Sequence, residues 1–177
     1  NFWYRQTLGA YYRSIKETDK AIALYEEMSH QFPARGELLM MLMDLYAQQQ
    51  DYPNLIKTLD RLEVKEGKSE QISMEKYRIY LQMGDRESAL SEIETLSKEY
   101  PNDLRYRVMV GDSYLDNERP DEALAIFQQV LAEDPENAQA QLSMVSYYNS
   151  TGQDSLCNIQ QEKVLMNRKL SSSVKME

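Results

Sequence analysis

The chain of 177 residues is 42% hydrophobic and carries 29 acidic against 20 basic side chains, for a net charge of −9 and a pI of about 4.8. That balance argues against sequence-independent binding of nucleic acid and against anionic membrane surfaces, both of which call for a basic face; it suits a solvated, elongated surface. No run approaches the roughly 18 apolar residues of a membrane span, the single cysteine forms no intrachain disulfide framework, and no secretory signal is visible.

The chain starts at Asn1 without an initiator methionine, almost inside its first helix. A trimmed or processed piece is therefore expected, with the compartment unknown and any N-terminal targeting signal missing from it.

Tyr12, Tyr46, Tyr80, Tyr114 and Tyr148 follow one another at intervals of 34 residues. A period of that length marks a repeat protein. The first unit predicts helices near 2–14 and 18–30, with Leu8, Gly9 and Tyr12 on one and Ala21, Tyr25 and Met28 on the other, closed by Pro33. The second predicts 36–48 and 52–65, with Leu42, Met43 and Tyr46, then Leu55, Leu59 and Leu62, and Gly67 in place of the proline. The third predicts 70–82 and 86–99, with Lys76, Tyr77 and Tyr80, then Ala89, Ile93 and Leu96, and Pro101. The fourth predicts 104–116 and 120–132, with Val110, Gly111 and Tyr114, then Ala123, Phe127 and Val130, and Pro135. The fifth predicts 138–150 and 154–169, with Met144, Val145 and Tyr148, then Cys157, Gln161 and Val164. Steps of three and four put each set on one helical face.

The turns agree with this division. Gly84 and Gly152 suit the left-handed conformation that ends a helix. Thr18, Asp51 and Asp85 are expected N-caps. Pro53 and Pro120 fall in first turns, where a missing N–H costs little, and Pro33, Pro101 and Pro135 stop their helices.

Leu8-Gly9-x-x-Tyr12 followed by Ala21, Tyr25 and Pro33 resembles the tetratricopeptide repeat, as does Val110-Gly111-x-x-Tyr114 followed by Ala123, Phe127 and Pro135. The resemblance implies an all-α, right-handed solenoid of five antiparallel helix pairs over residues 1–170, with repeats 2–35, 36–69, 70–103, 104–137 and 138–170 and a flexible tail at 171–177. The family's tryptophan column is not kept; Trp3 stands two positions early.

Chemistry of catalysis finds no foothold, and no catalytic, cofactor-binding or metal-binding residue is expected. His30 and Cys157 lie four units apart, too far to form a nucleophile pair if helices stack 8–10 Å apart. His30 suits the carbonyl end of a helix, and Cys157 occupies the small-residue packing column. No Cys/His cluster has zinc spacing, and no glycine-rich phosphate loop is present.

In tetratricopeptide solenoids the first helix of each pair lines the concave surface. By that resemblance the second, fifth, ninth and twelfth positions of each unit face a groove. Met40, Met74, Val108 and Leu142 would form its apolar floor, Arg13, Arg78 and Arg105 its cationic sites, and Asp44 and Asp112 its anionic ones. On the residues alone, packing between units suits Met40 and Met74 equally well. Family members that bind chaperone tails hold a peptide carboxylate with Lys and Asn at the fifth and ninth positions. The pairs here are Gln6/Ala10, Met40/Asp44, Met74/Arg78 and Val108/Asp112, so that activity is not carried over. The expected function is a protein-interaction module or assembly scaffold, monomeric, taking a protein or peptide partner and no nucleic acid, and not itself an enzyme. The alternative is a regulatory or substrate-recruiting domain of a larger enzyme or signalling protein. Self-assembly is disfavoured by polar Gln160, Gln161 and Glu162 on the last helix, which read as a cap.

Overall fold

The computed structural model describes residues 1–169; the expected tail at 171–177 lies outside them. Among the described residues there are ten helices and no strand: α1 (Phe2–Ser14), α2 (Thr18–Gln31), α3 (Gly36–Gln49), α4 (Tyr52–Glu66), α5 (Glu70–Met83), α6 (Arg86–Glu99), α7 (Leu104–Asp116), α8 (Pro120–Glu133), α9 (Ala138–Ser150) and α10 (Asp154–Met166). The fold is an all-α solenoid of helix pairs. Within it the chain divides into two compact units, Asn1–Ile79 and Tyr80 onward.

One conformation recurs in every pair. The residue that turns the first helix into the second is left-handed in all five: Lys16 (φ 61°), Gln50 (56°), Gly84 (73°), Glu118 (58°) and Gly152 (68°), again 34 apart. Only two are glycine, so three side chains accept a conformation that L-residues avoid. Asp51 and Asp85 cap α4 and α6 by accepting the amides of Asn54 and Ser88 at 3.2 and 3.1 Å. Thr18 is no cap: it is the first helical residue of α2, after Glu17, which makes no side-chain capping bond. Pro33, Pro101 and Pro135 each follow a residue (Phe32, Tyr100, Asp134) held out of the helical region, as the ring of a following proline demands.

In the N-terminal unit, α1 crosses α2 where Gly9 lies under the Tyr25 ring: a Cβ built on Gly9 would meet that ring at 2.6 Å. Ala21, Tyr25, Met28, Leu38, Leu42 and Leu59 are fully enclosed. Tyr46 donates its hydroxyl to Glu26 at 2.9 Å. Burial first, then the Glu26 hydrogen bond and charge, push its pKa up to about 12. Lys76, standing in the column of Leu42, is buried. It is held by Asp60 at 2.6 Å and Glu63 at 2.5 Å, so a charge enters an apolar column with both counter-charges supplied by α4.

In the C-terminal unit the same plan returns with Gly111 under Phe127. One core joins Val108, Ala123, Phe127, Val130, Ala140, Met144 and Tyr147. Tyr114 sits half-buried at its edge, its ring on the core and its hydroxyl donating to Glu94 at 2.5 Å. The Tyr114–Glu94 pair repeats the 20-residue separation of Tyr46–Glu26. Gln160 turns inward, donating to the Gln141 carbonyl at 3.2 Å, so only Gln161 and Glu162 of the expected polar cap face solvent. Helix α10 stops at Met166, short of the expected 169. Asn167 then turns in to donate to the Glu136 carbonyl and to Gln141, at 3.0 and 2.9 Å.

Candidate functional site: the faces of the first helices

In the N-terminal unit three of the expected groove residues come together. Met40 is 52% exposed on α3. Asp44, one turn on, lies 3.9 Å from the Arg13 guanidinium. Arg13 also stands against the Tyr25 hydroxyl, whose pKa is raised by burial and only partly drawn back by that cation. The charges of Arg13 and Asp44 are therefore partly spent on each other across α1 and α3. On α5, Met74 is half-buried and lines an open hollow of about 420 Å³ with Glu70, Gln71, Glu75 and Arg78, where Arg78 pairs with Glu75 at 3.3 Å.

In the C-terminal unit the floor needs a correction. Val108 is fully buried, a member of the core that also holds Phe127 and Ala140, so nothing docking on the surface can touch it. The physical reason is that Val108 belongs to a core completed by Ala123, Phe127 and Val130 of α8 and by Ala140, Met144 and Tyr147 of α9. Arg105 is exposed, but its guanidinium closes onto the Asp103 carboxylate with contacts of 3.0, 3.1 and 2.5 Å and lies 5.5 Å from the Tyr106 ring centre. Its charge is paired in place with Asp103.

What the unit does present is a cleft of about 310 Å³ between α7 and α9, lined by Asp112, Leu115, Asp116, Gln139, Leu142, Ser143 and Ser146. Asp112, Leu115, Gln139, Leu142 and Ser146 are groove positions by the repeat spacing; Asp116 and Ser143 are additions. Asp116 was findable as the next turn of the Asp112 stripe. Ser143 carried no such signal, since it acts by hydrogen-bonding Asp112. Burial raises the Asp112 pKa, the Asp116 charge raises it further, and the Ser143 hydrogen bond opposes both. The cleft thus joins two leucines to a half-buried carboxylate, Asp112, with the exposed Asp116 at its rim.

A further cleft of about 360 Å³ in the N-terminal unit is lined by Ser29, His30, Pro33, Arg35, Leu39, Arg61 and Lys65. Its cations are already engaged: Arg61 with Glu26 at 2.8 Å, Arg35 with Glu37 at 3.1 Å, and Lys65 with the Ala34 carbonyl at 2.7 Å. His30 lies 3.8 Å from Glu26, and the buried Cys157 thiol is 3.8 Å from the Val145 carbonyl. Among the described residues no group of three or more His, Cys, Asp or Glu is placed to hold a metal ion, and no helix is long and apolar enough to cross a membrane.

The tetratricopeptide repeat family model matches residues 76–138, about a third of the chain. The fold is similar to that of several solved structures. MamA 41-end from Desulfovibrio magneticus RS-1 is 15% identical with a TM-score of 0.62, covering 95% of each chain. A further MamA crystal structure is 16% identical with a TM-score of 0.62, covering 95% of this chain and 92% of that one. YrrB, described as a TPR protein with an unusual peptide-binding site, is 16% identical with a TM-score of 0.61, covering 92% of this chain and 84% of its own. No curated protein matches the chain by sequence.

Proposed function

We propose that this chain is a protein-interaction module without chemistry of its own, and that it takes a peptide segment of a partner on the faces of its first helices. The observation that carries the proposal is the cleft between α7 and α9, where two leucines and a half-buried aspartate meet. Apolar floor with a few polar anchors is the composition of peptide-recognition surfaces. The peptide-binding site named for YrrB supports the same reading. Met40 and Asp44 in the N-terminal unit offer a second exposed apolar and acidic pair of the same kind.

The test is selection of binding peptides from a random library on the intact chain, followed by affinity measurement on Leu142→Glu and Met40→Glu. Met40 is exposed, so its variant keeps the fold, and circular dichroism checks both. The expected result is a loss of about 1–3 kcal/mol in affinity for at least one variant. Undiminished affinity for both, with the fold retained, places the partner elsewhere and overturns the proposal.

A further inference from the structure

The first helix exposes a face that is covered in every later repeat. Tyr4 and Tyr11 are 71% and 56% exposed. Their equivalents at 34-residue steps are Leu38, Ile72, Tyr106 and Ala140 for Tyr4, and Leu45, Ile79, Ser113 and Tyr147 for Tyr11. All eight are buried, none more than 8% exposed. In repeat five the covering element is explicit. Ala140, Met144 and Tyr147 of α9 share one core with Ala123, Phe127 and Val130 of α8, the second helix of the repeat before. Tyr4, Leu8 and Tyr11 stand in the same three positions of α1.

The opposite end is built differently. Tyr25, Leu59, Ile93 and Phe127 are enclosed, whereas Gln161, the fifth member of that column, is polar and exposed. Terminal repeats of a solenoid need a polar outer face. At the column position α10 places the amide of Gln161, although Leu156, Ile159 and Leu165 are exposed elsewhere on it, and α1 shows two aromatic rings to solvent at positions that later repeats cover. Scattered apolar residues need no explanation, but a row at i, i+4 and i+7 forms a contiguous stripe.

We propose that the Tyr4–Leu8–Tyr11 face is a docking surface for a further helix pair of this repeat type. The second helix of that pair carries a small residue, an aromatic and an aliphatic at i, i+4 and i+7, as Ala123, Phe127 and Val130 do in α8. The stated chemistry also weighs against a second copy docking through its last helix. That helix offers Cys157, Gln161 and Val164, with an amide where the aromatic belongs. This surface is distinct from the α7–α9 cleft, and the two proposals stand or fall separately.

The experiment joins a copy of residues 104–137 directly ahead of Phe2 of the full chain. The 34-residue phase is thereby kept, and Asn137 of the copy takes the capping place of Asn1, as it does ahead of α9. Amide hydrogen exchange is read in α1, with and without Tyr4→Glu and Tyr11→Glu together. Since both tyrosines are exposed, the unfused double variant keeps its circular dichroism. The expected result is exchange in α1 slowed at least about tenfold by the fused repeat, with the slowing abolished by the double variant. Equal α1 exchange in fused and unfused chains, or slowing that survives the double variant, overturns the proposal. Sedimentation of the unfused chain as a dimer that the double variant dissociates also overturns it, since a second copy is then the occupant.

Discussion

Gly111→Ala puts a number on the packing of each repeat. In an ordinary helix interior the change is favourable by about 1 kcal/mol, because alanine loses less backbone entropy. Here the new methyl would stand 2.4 Å from Phe127 Cε1, 2.9 Å from Cδ1 and 3.0 Å from Cζ. The ring has no room to retreat: it is fully buried among Val108, Ala123, Val130 and Tyr147. Overpacking of a closed core costs about 1–3 kcal/mol, and a contact this short belongs at the upper end. The net expectation is a loss of about 1–2 kcal/mol, read as a lowered urea midpoint with an unchanged slope. Phe127→Leu in the same chain removes the obstructing atoms. The double variant should therefore be more stable than the two single losses together imply, by about 1 kcal/mol. A midpoint for Gly111→Ala at or above that of the parent refutes the reasoning.

Glu118→Gly, at a left-handed φ of 58°, should raise stability by about 0.5–1 kcal/mol in thermal unfolding; a loss would show that the Glu118 side chain matters more than its backbone strain. Lys76→Glu sets a third carboxylate beside Asp60 and Glu63 and should cost about 3–5 kcal/mol by denaturant titration, while a neutral outcome would mean the site is more hydrated than its burial implies. Asp112→Asn should stabilise the chain at pH 7. The Asp112 pKa is raised on folding, so the ionised form is penalised above it, and the parent recovers that penalty as pH falls through the folded pKa. The gain from the variant should therefore shrink in acid, and a gain that grows in acid contradicts the sign.

The periodic part of this fold was legible from residue types alone, because each repeat restates the same contacts. Helix boundaries read from the 34-residue columns agree with the observed ones within three residues, the largest departure being the end of α10 at Met166. The left-handed turns were half legible: Gly84 and Gly152 announce themselves, whereas Lys16, Gln50 and Glu118 reveal the same backbone only through their phase. The glycine column also explains its own exceptions. Where the facing residue is aromatic, as at Tyr25 and Phe127, the column holds Gly9 and Gly111; where it is Leu59, the column holds Met43.

Single-residue placements were not legible, for a physical reason. Val108 belongs by spacing to the groove stripe, yet it lies in a core completed by side chains of α8 and α9. Lys76 looks like a mismatch in a leucine column until Asp60 and Glu63 of the preceding helix are brought to it. Both depend on side chains from a neighbouring repeat, which one helix's periodicity does not contain. The Asp112 pKa, raised by burial, is likewise drawn back by a hydrogen bond from Ser143 of α9.

The central claim is that a partner peptide lies on the first helices, and chemical-shift mapping with a library-selected peptide tests it most directly. The account predicts shifts concentrated at residues 112–116 and 139–146, on the α7 and α9 sides of the cleft. Shifts confined to α8 and α10, or to the turns at Lys16, Gln50 and Glu118, would contradict it.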